Sequence, residues 1–100
     1  MSDTPVFVVV EMTAVRDAEK LKTYQAGARA QLLERGGTVV ARGSFPIEGE
    51  PPFGPLLVQK WPSEHAFREW QESEAYRPLK ALRREAVSMR ITVVPLVQAL

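Results

Sequence analysis

An α+β domain with the order β-α-β-β-α-β, the split βαβ or ferredoxin-like arrangement, is the fold class this 100-residue sequence predicts. Three observations carry that prediction. Four short runs rich in β-branched and aromatic residues have strand length. Stretches between them place apolar residues at helical spacing. Glycine, proline and capping residues separate the two kinds of segment.

Val6–Met12 (VFVVVEM) reads as the first strand. Asp17 is placed to cap a helix over residues 18–35, whose apolar positions Leu21, Tyr24, Ala28 and Leu32 follow helical spacing. Gly36 and Gly37 supply its left-handed stop. Thr38–Gly43 (TVVARG) is the second strand, and Leu56–Trp61 (LLVQKW) the third. Between them, Ser44–Pro55 holds Pro46, Pro51, Pro52 and Pro55 with Gly49 and Gly54, a composition that makes a loop. Ser63 caps a short helix on which Ala66, Phe67 and Trp70 share a face. From Ser73 the chain enters another helical segment with Pro78 near its first turn and a stripe of Tyr76, Leu79, Leu82, Arg83 and Ala86. Met89–Val94 (MRITVV) is the last strand, ended by Pro95. A single domain spanning residues 1–100 is expected.

Thirteen basic against twelve acidic residues leave a net charge of +1, which supplies no basic patch for nucleic acid or an anionic membrane. Without cysteine there is no disulfide, thiolate nucleophile or cysteine-ligated zinc. The opening MSDTPVFVVV has no positive segment with a long apolar core behind it, so a cytoplasmic protein is expected. No apolar run approaches the roughly 18–20 residues of a membrane span.

The strands are apolar on nearly both faces. Val6, Val8, Val10 and Met12 alternate with Phe7 and Val9; Leu56 and Val58 oppose Leu57 and Trp61; Ile91 and Val93 oppose Val94. One helical layer covers one face, leaving roughly eight large apolar side chains in water and forgoing about 10–20 kcal/mol of burial. The tail Leu96–Leu100 is too short to cover them. A second copy, sheet against sheet, is the expected cover, so a homodimer through the sheet face is predicted.

Among chemistry-bearing residues, His65 stands alone, without the partners a zinc site requires, and no cofactor or metal is expected. Arg42, at the end of the second strand, offers a bidentate fork for an anion at a pocket mouth, or else forms a surface or interface ion pair. Glu11 is its candidate partner, or a general base if desolvated, although its place at the strand's end favours a solvated edge or interface pair. Tyr24, Trp70, Tyr76 and Arg83 form the richer constellation. Tyr76 and Arg83 are seven residues apart on one helical face, and an arginine in an apolar stripe needs an oxygen to satisfy it. With Trp70 and Tyr24 they either line a cleft between helices and sheet or pack as plain core. No nucleophile–base pair is evident.

Gly36-Gly37, Ala41-Arg42-Gly43, Glu48-Gly49, Trp61-Pro62-Ser63, Ala66, Trp70, Ser73, Tyr76, Leu79, Arg83 and Ala86, in that order and spacing, resemble the domain-of-unknown-function 1330 family over about residues 6–97. The chain departs from the family pattern at Trp61, where phenylalanine is usual, and at Gln71, where an aromatic commonly follows Trp70. The resemblance implies a dimeric α+β barrel of ferredoxin-like subunits. It implies no activity, although fold-level relatives include cofactor-independent monooxygenases and stress-responsive barrel proteins.

Two functional classes follow. In one, a small apolar or anionic molecule binds between sheet and helices at Tyr24, Arg42, Trp70, Tyr76 and Arg83, with cofactor-independent oxygenase- or isomerase-like chemistry conceivable. In the other, the chain is a non-catalytic dimerisation or sensor module without a substrate.

Overall fold

In the computed structural model, residues 4–97 are described; residues 1–3 and, of the tail, residues 98–100 lie outside them. The elements are β1 (Val6–Val15), α1 (Ala18–Glu34), β2 (Thr38–Arg42), β3 (Leu56–Trp61), α2 (Glu64–Gln71), α3 (Arg77–Ala86) and β4 (Val87–Pro95). The strands form one antiparallel sheet in the order β2-β3-β1-β4, which is the ferredoxin-like topology.

The local signals act where the sequence places them. The Asp17 side chain accepts from the Lys20 amide at 3.0 Å, and Ser63 Oγ accepts from the Ala66 amide at 3.0 Å, so α1 and α2 each begin on a satisfied cap. α1 ends in a Schellman pair of bonds: Gly37 N–H donates to Leu32 O at 2.9 Å and Gly36 N–H to Leu33 O at 3.3 Å. Gly36 takes the positive φ of 92° that this closure requires. α3 starts at Arg77, after a turn that Ser73 organises by accepting from the Tyr76 amide at 3.2 Å while donating to Trp70 O at 2.8 Å.

Register decides which residues meet the helices. Val8 lies opposite Gln59 and Val93, and Val10 opposite Leu57 and Ile91, so these share the helix-covered face with Val6 and Trp61. Phe7, Val9, Leu56, Val58 and Val94 occupy the other face with Glu11, Lys60, Arg90 and Thr92. That face is therefore less apolar than the sequence suggested, with five large apolar side chains in place of roughly eight. None of the five is fully buried, and Val94 is 42% exposed.

Two strands exceed their expected bounds. β1 continues past Met12 to Val15 because a bulge between Met12 and Ala14 restarts the pairing, with Ala14 opposite Ser88 and Val15 opposite Val87. The same pairing begins β4 at Val87 instead of Met89. The 44–55 segment is a loop, with Phe45 and Ile47 almost wholly exposed. Its far end is clipped to the sheet: Glu11 Oε2 accepts from the Phe53 amide at 2.7 Å, and the Arg90 guanidinium lies 4.1 Å from the Phe53 ring centroid. Glu11 Oε1 is 3.9 Å from Arg90 Nε, so its partners are Arg90 and the loop, not Arg42. No helix among the described residues is long and apolar enough to cross a membrane.

The core centres on Trp61, 1% exposed, stacked on Trp70 at 5.3 Å and edge-on to Phe67 at 5.4 Å. A Cβ at Gly37 would stand 2.8 Å from Trp61 Cε2 and 2.9 Å from Leu32 Cγ, both buried. Gly37→Ala is therefore expected to lower stability by about 1–3 kcal/mol through overpacking. Gly27→Ala, whose new Cβ meets only the movable Leu79 side chain and gains helix propensity, should cost less. Urea midpoints of the two variants check the order.

Candidate functional site

A cavity of about 480 Å³ opens between α1 and the helix-covered face of the sheet, reaching the β2 edge. Val10, Met12, Leu57, Met89 and Ile91 form its apolar floor, and Tyr24, Ala28, Leu32 and Trp70 its walls. Lys22 and Arg29 from α1 and Arg42 from β2 are exposed at its rim. Arg42 pairs in register with Leu57, which places it on the cavity side of the sheet.

Three cations and no carboxylate lie among these lining residues. Among the described residues, no ion pair or hydrogen bond engages the side chains of Lys22, Arg29 or Arg42. Of the three lining glutamines, Gln25, Gln59 and Gln71, the last two extend the pattern. The Trp61 indole N–H, which can only donate, bonds Gln59 Oε1 at 2.8 Å. The Arg83 guanidinium, also donor-only, approaches Gln71 Oε1 at 3.4 Å. Gln59 and Gln71 thus spend their oxygens on the protein and keep their NH2 groups. The cavity's cations, with Gln59 and Gln71, present donors.

From the cavity walls inward the aromatic residues are wired together. The Tyr24 and Tyr76 hydroxyls are 2.6 Å apart, and Arg83 Nη1 donates to the Tyr76 hydroxyl at 2.9 Å. Burial pushes the Tyr24 phenol well above its usual range; the neighbouring Tyr76 adds to this, while Arg83 opposes it. Trp70 Nε1 donates to Gln31 Oε1 at 3.0 Å, and Gln31 Nε2 donates to Ala75 O at 2.9 Å, tying α2, α1 and the turn before α3. Tyr76 itself is fully buried and packs on Trp70 at 4.6 Å between centroids.

Of the residues singled out from the sequence, Tyr24, Trp70 and Arg42 line the cavity, while Tyr76 and Arg83 stand behind Tyr24. The oxygen that Arg83 needs comes from a phenol and an amide. Lys22, Arg29 and Gln59 escaped the sequence reading. Lys22 and Arg29 are seven residues apart on α1, beside the Tyr24–Ala28 stripe, and that spacing was the available signal. His65 is exposed, with Nε2 3.4 Å from Glu69. Among the described residues, no cluster of three or more His, Cys, Asp or Glu could hold a metal ion.

The model of the domain of unknown function DUF1330 matches residues 5–97. No curated protein matches the chain. Among solved structures, a protein of unknown function from Rhodopseudomonas palustris is similar with a TM-score of 0.77 at 20% identity, over 97% of this chain and 85% of that one. SnoaB, a cofactor-independent oxygenase from Streptomyces nogalater, is similar with a TM-score of 0.65 at 16% identity, over 97% of each chain. A Pseudomonas aeruginosa protein aligns with a TM-score of 0.60 at 14% identity, over 98% of each chain. At these identities the likeness is one of fold.

The raised Tyr24 phenol has a pH consequence. A folded value above the unfolded one means that its stabilising share is intact below about pH 10 and is lost as the pH climbs through that value toward the folded one. Urea midpoints measured at about pH 9 and about pH 11 should fall in the wild type. The fall should be smaller in Tyr24→Phe, which has no phenol to titrate at this position.

Proposed function

The chain belongs to the DUF1330 family, whose function is unknown, and on that premise we propose that it binds a small, flat, largely apolar anion in the α1–sheet cavity. The observation that carries this reading is the composition of the lining. An apolar floor and aromatic walls meet a rim of Lys22, Arg29 and Arg42 without a lining carboxylate. Apolar surface supplies the affinity, and unpaired cations select the sign of the ligand's charge. Arg42, with its bidentate fork, is the residue suited to a carboxylate. Oxygenation or isomerisation of such a compound without a cofactor is the chemistry this reading favours, a class represented on a similar fold by SnoaB. The protein is taken to work in the cytoplasm.

The partner in this reading is a second copy. Phe7, Val9, Leu56, Val58 and Val94 form an apolar centre on the uncovered sheet face, with Glu11, Lys60, Arg90 and Thr92 around them. A self-complementary face with an apolar middle and charges of both signs suits isologous pairing.

2-Naphthoate and its uncharged analogue 2-naphthalenemethanol test the ligand reading by calorimetric titration. The wild type should prefer the anion, with a preference that weakens as salt is added. The Lys22→Ala/Arg42→Ala double variant should lose about tenfold of that preference. Equal binding of the two compounds, or an unchanged preference in the double variant, overturns the reading. Light scattering after size exclusion should give a mass twice 11.2 kDa. Val58→Glu, on the uncovered face, should shift it to that of one chain, and a wild-type monomer at micromolar concentration rejects the dimer.

A further inference from the structure

The bond between the two tyrosines has a direction that can be worked out. Tyr76 is fully buried, and among the described residues its hydroxyl meets two partners, Tyr24 and Arg83. Arg83 can only donate, so the Tyr76 oxygen accepts from it. The Tyr76 proton then has one acceptor left, the Tyr24 oxygen, since a buried hydroxyl without an acceptor is costly. The chain of donors therefore runs Arg83 to Tyr76 to Tyr24. The Tyr24 proton is the end of that chain, and Tyr24 lines the cavity. Each donation polarises the next O–H, and the guanidinium at the origin adds its charge.

We propose that the Tyr24 hydroxyl is the inner hydrogen-bond donor of the cavity, taking a carbonyl, enolate or phenolate oxygen of the ligand, with Tyr76 and Arg83 acting through it as positioning residues. This rests on the anion-binding reading and narrows it. The ligand has an acidic group for the rim and a second oxygen able to carry negative charge for Tyr24. An unsaturated or aromatic acid bearing a ketone, enol or phenol meets both demands. Because the Tyr24 phenol resists ionisation, it remains a donor across the working pH range and stabilises charge on the ligand without taking it up. No lining carboxylate competes for that proton.

The test compares 6-hydroxy-2-naphthoate with 2-naphthoate on wild type, Tyr24→Phe, Arg83→Gln and Arg83→Lys, each first shown to be folded by circular dichroism. The absorbance of bound 6-hydroxy-2-naphthoate reports its phenol and phenolate forms separately. On the wild type, the bound phenol should ionise at lower pH than on Tyr24→Phe, with an increase of about tenfold in the phenolate-to-phenol ratio at a given pH. 2-Naphthoate, which lacks the second oxygen, should bind both proteins alike. Arg83→Gln should move the ionisation part of the way toward that of Tyr24→Phe, and Arg83→Lys should restore it, a pattern that loss of packing would not produce. If 2-naphthoate binds and the bound phenol ionises identically on wild type and Tyr24→Phe, the inner donor is overturned while the anion site stands. If neither naphthoate binds the wild type, the anion site fails and the donor falls with it.

Discussion

The indole of Trp70 is the joint on which the other parts of the site depend. The ring stacks on Trp61 from β3 and packs on Tyr76, and its N–H reaches Gln31 on α1. A helix of eight residues would hold its position poorly alone, since short helices draw their stability from tertiary contact. Here one side chain fixes α2 to the sheet, to α1 and to the turn that precedes α3. Tyr76 is placed by that turn, Tyr24 is reached through Tyr76, and Arg83 follows one α3 face below. Replacing Trp70 by a smaller residue would loosen the packing beneath the cavity and the link from α2 to α1 at once.

Trp61 and its hydrogen-bond partner Gln59 act together. A tryptophan brings a polar N–H into a place where phenylalanine has none, and a buried donor needs an acceptor. Gln59, two residues earlier on the same strand face, provides it, and is itself buried. The exchange orients the Gln59 amide so that its NH2 group remains for the cavity. Gln71 does the equivalent with Arg83. Both arrangements leave an amide NH2 group at the site.

Much of the fold was legible because its determinants are local. Asp17, Ser63 and the Gly36-Gly37 pair act within a few residues of themselves, and strand alternation sorts Val8 from Val9 without knowledge of any neighbour. The end of β1 was missed because a bulge breaks alternation, leaving Thr13-Ala14-Val15 without a periodic signal. The size of the uncovered apolar face was overestimated because only pairing reveals which residues of adjacent strands share it. The site was legible in membership more than in wiring. Tyr24 and Tyr76 are 52 residues apart, and nothing local announces that their hydroxyls meet. That Glu11 pairs with Arg90 and not with Arg42 is hidden for the same reason: β4 brings Arg90 beside it, while Arg42 lies on the opposite face.

The stacking of Trp61 on Trp70 gives the molecule an optical property. These are the chain's two tryptophans, both almost completely buried, with ring centroids 5.3 Å apart. At that separation the two indoles exchange excitation, so the tryptophan emission arises from a single place. Trp70 borders the cavity and Trp61 lies behind it. The tryptophan emission of this protein thus arises at the wall of the cavity, with no label attached.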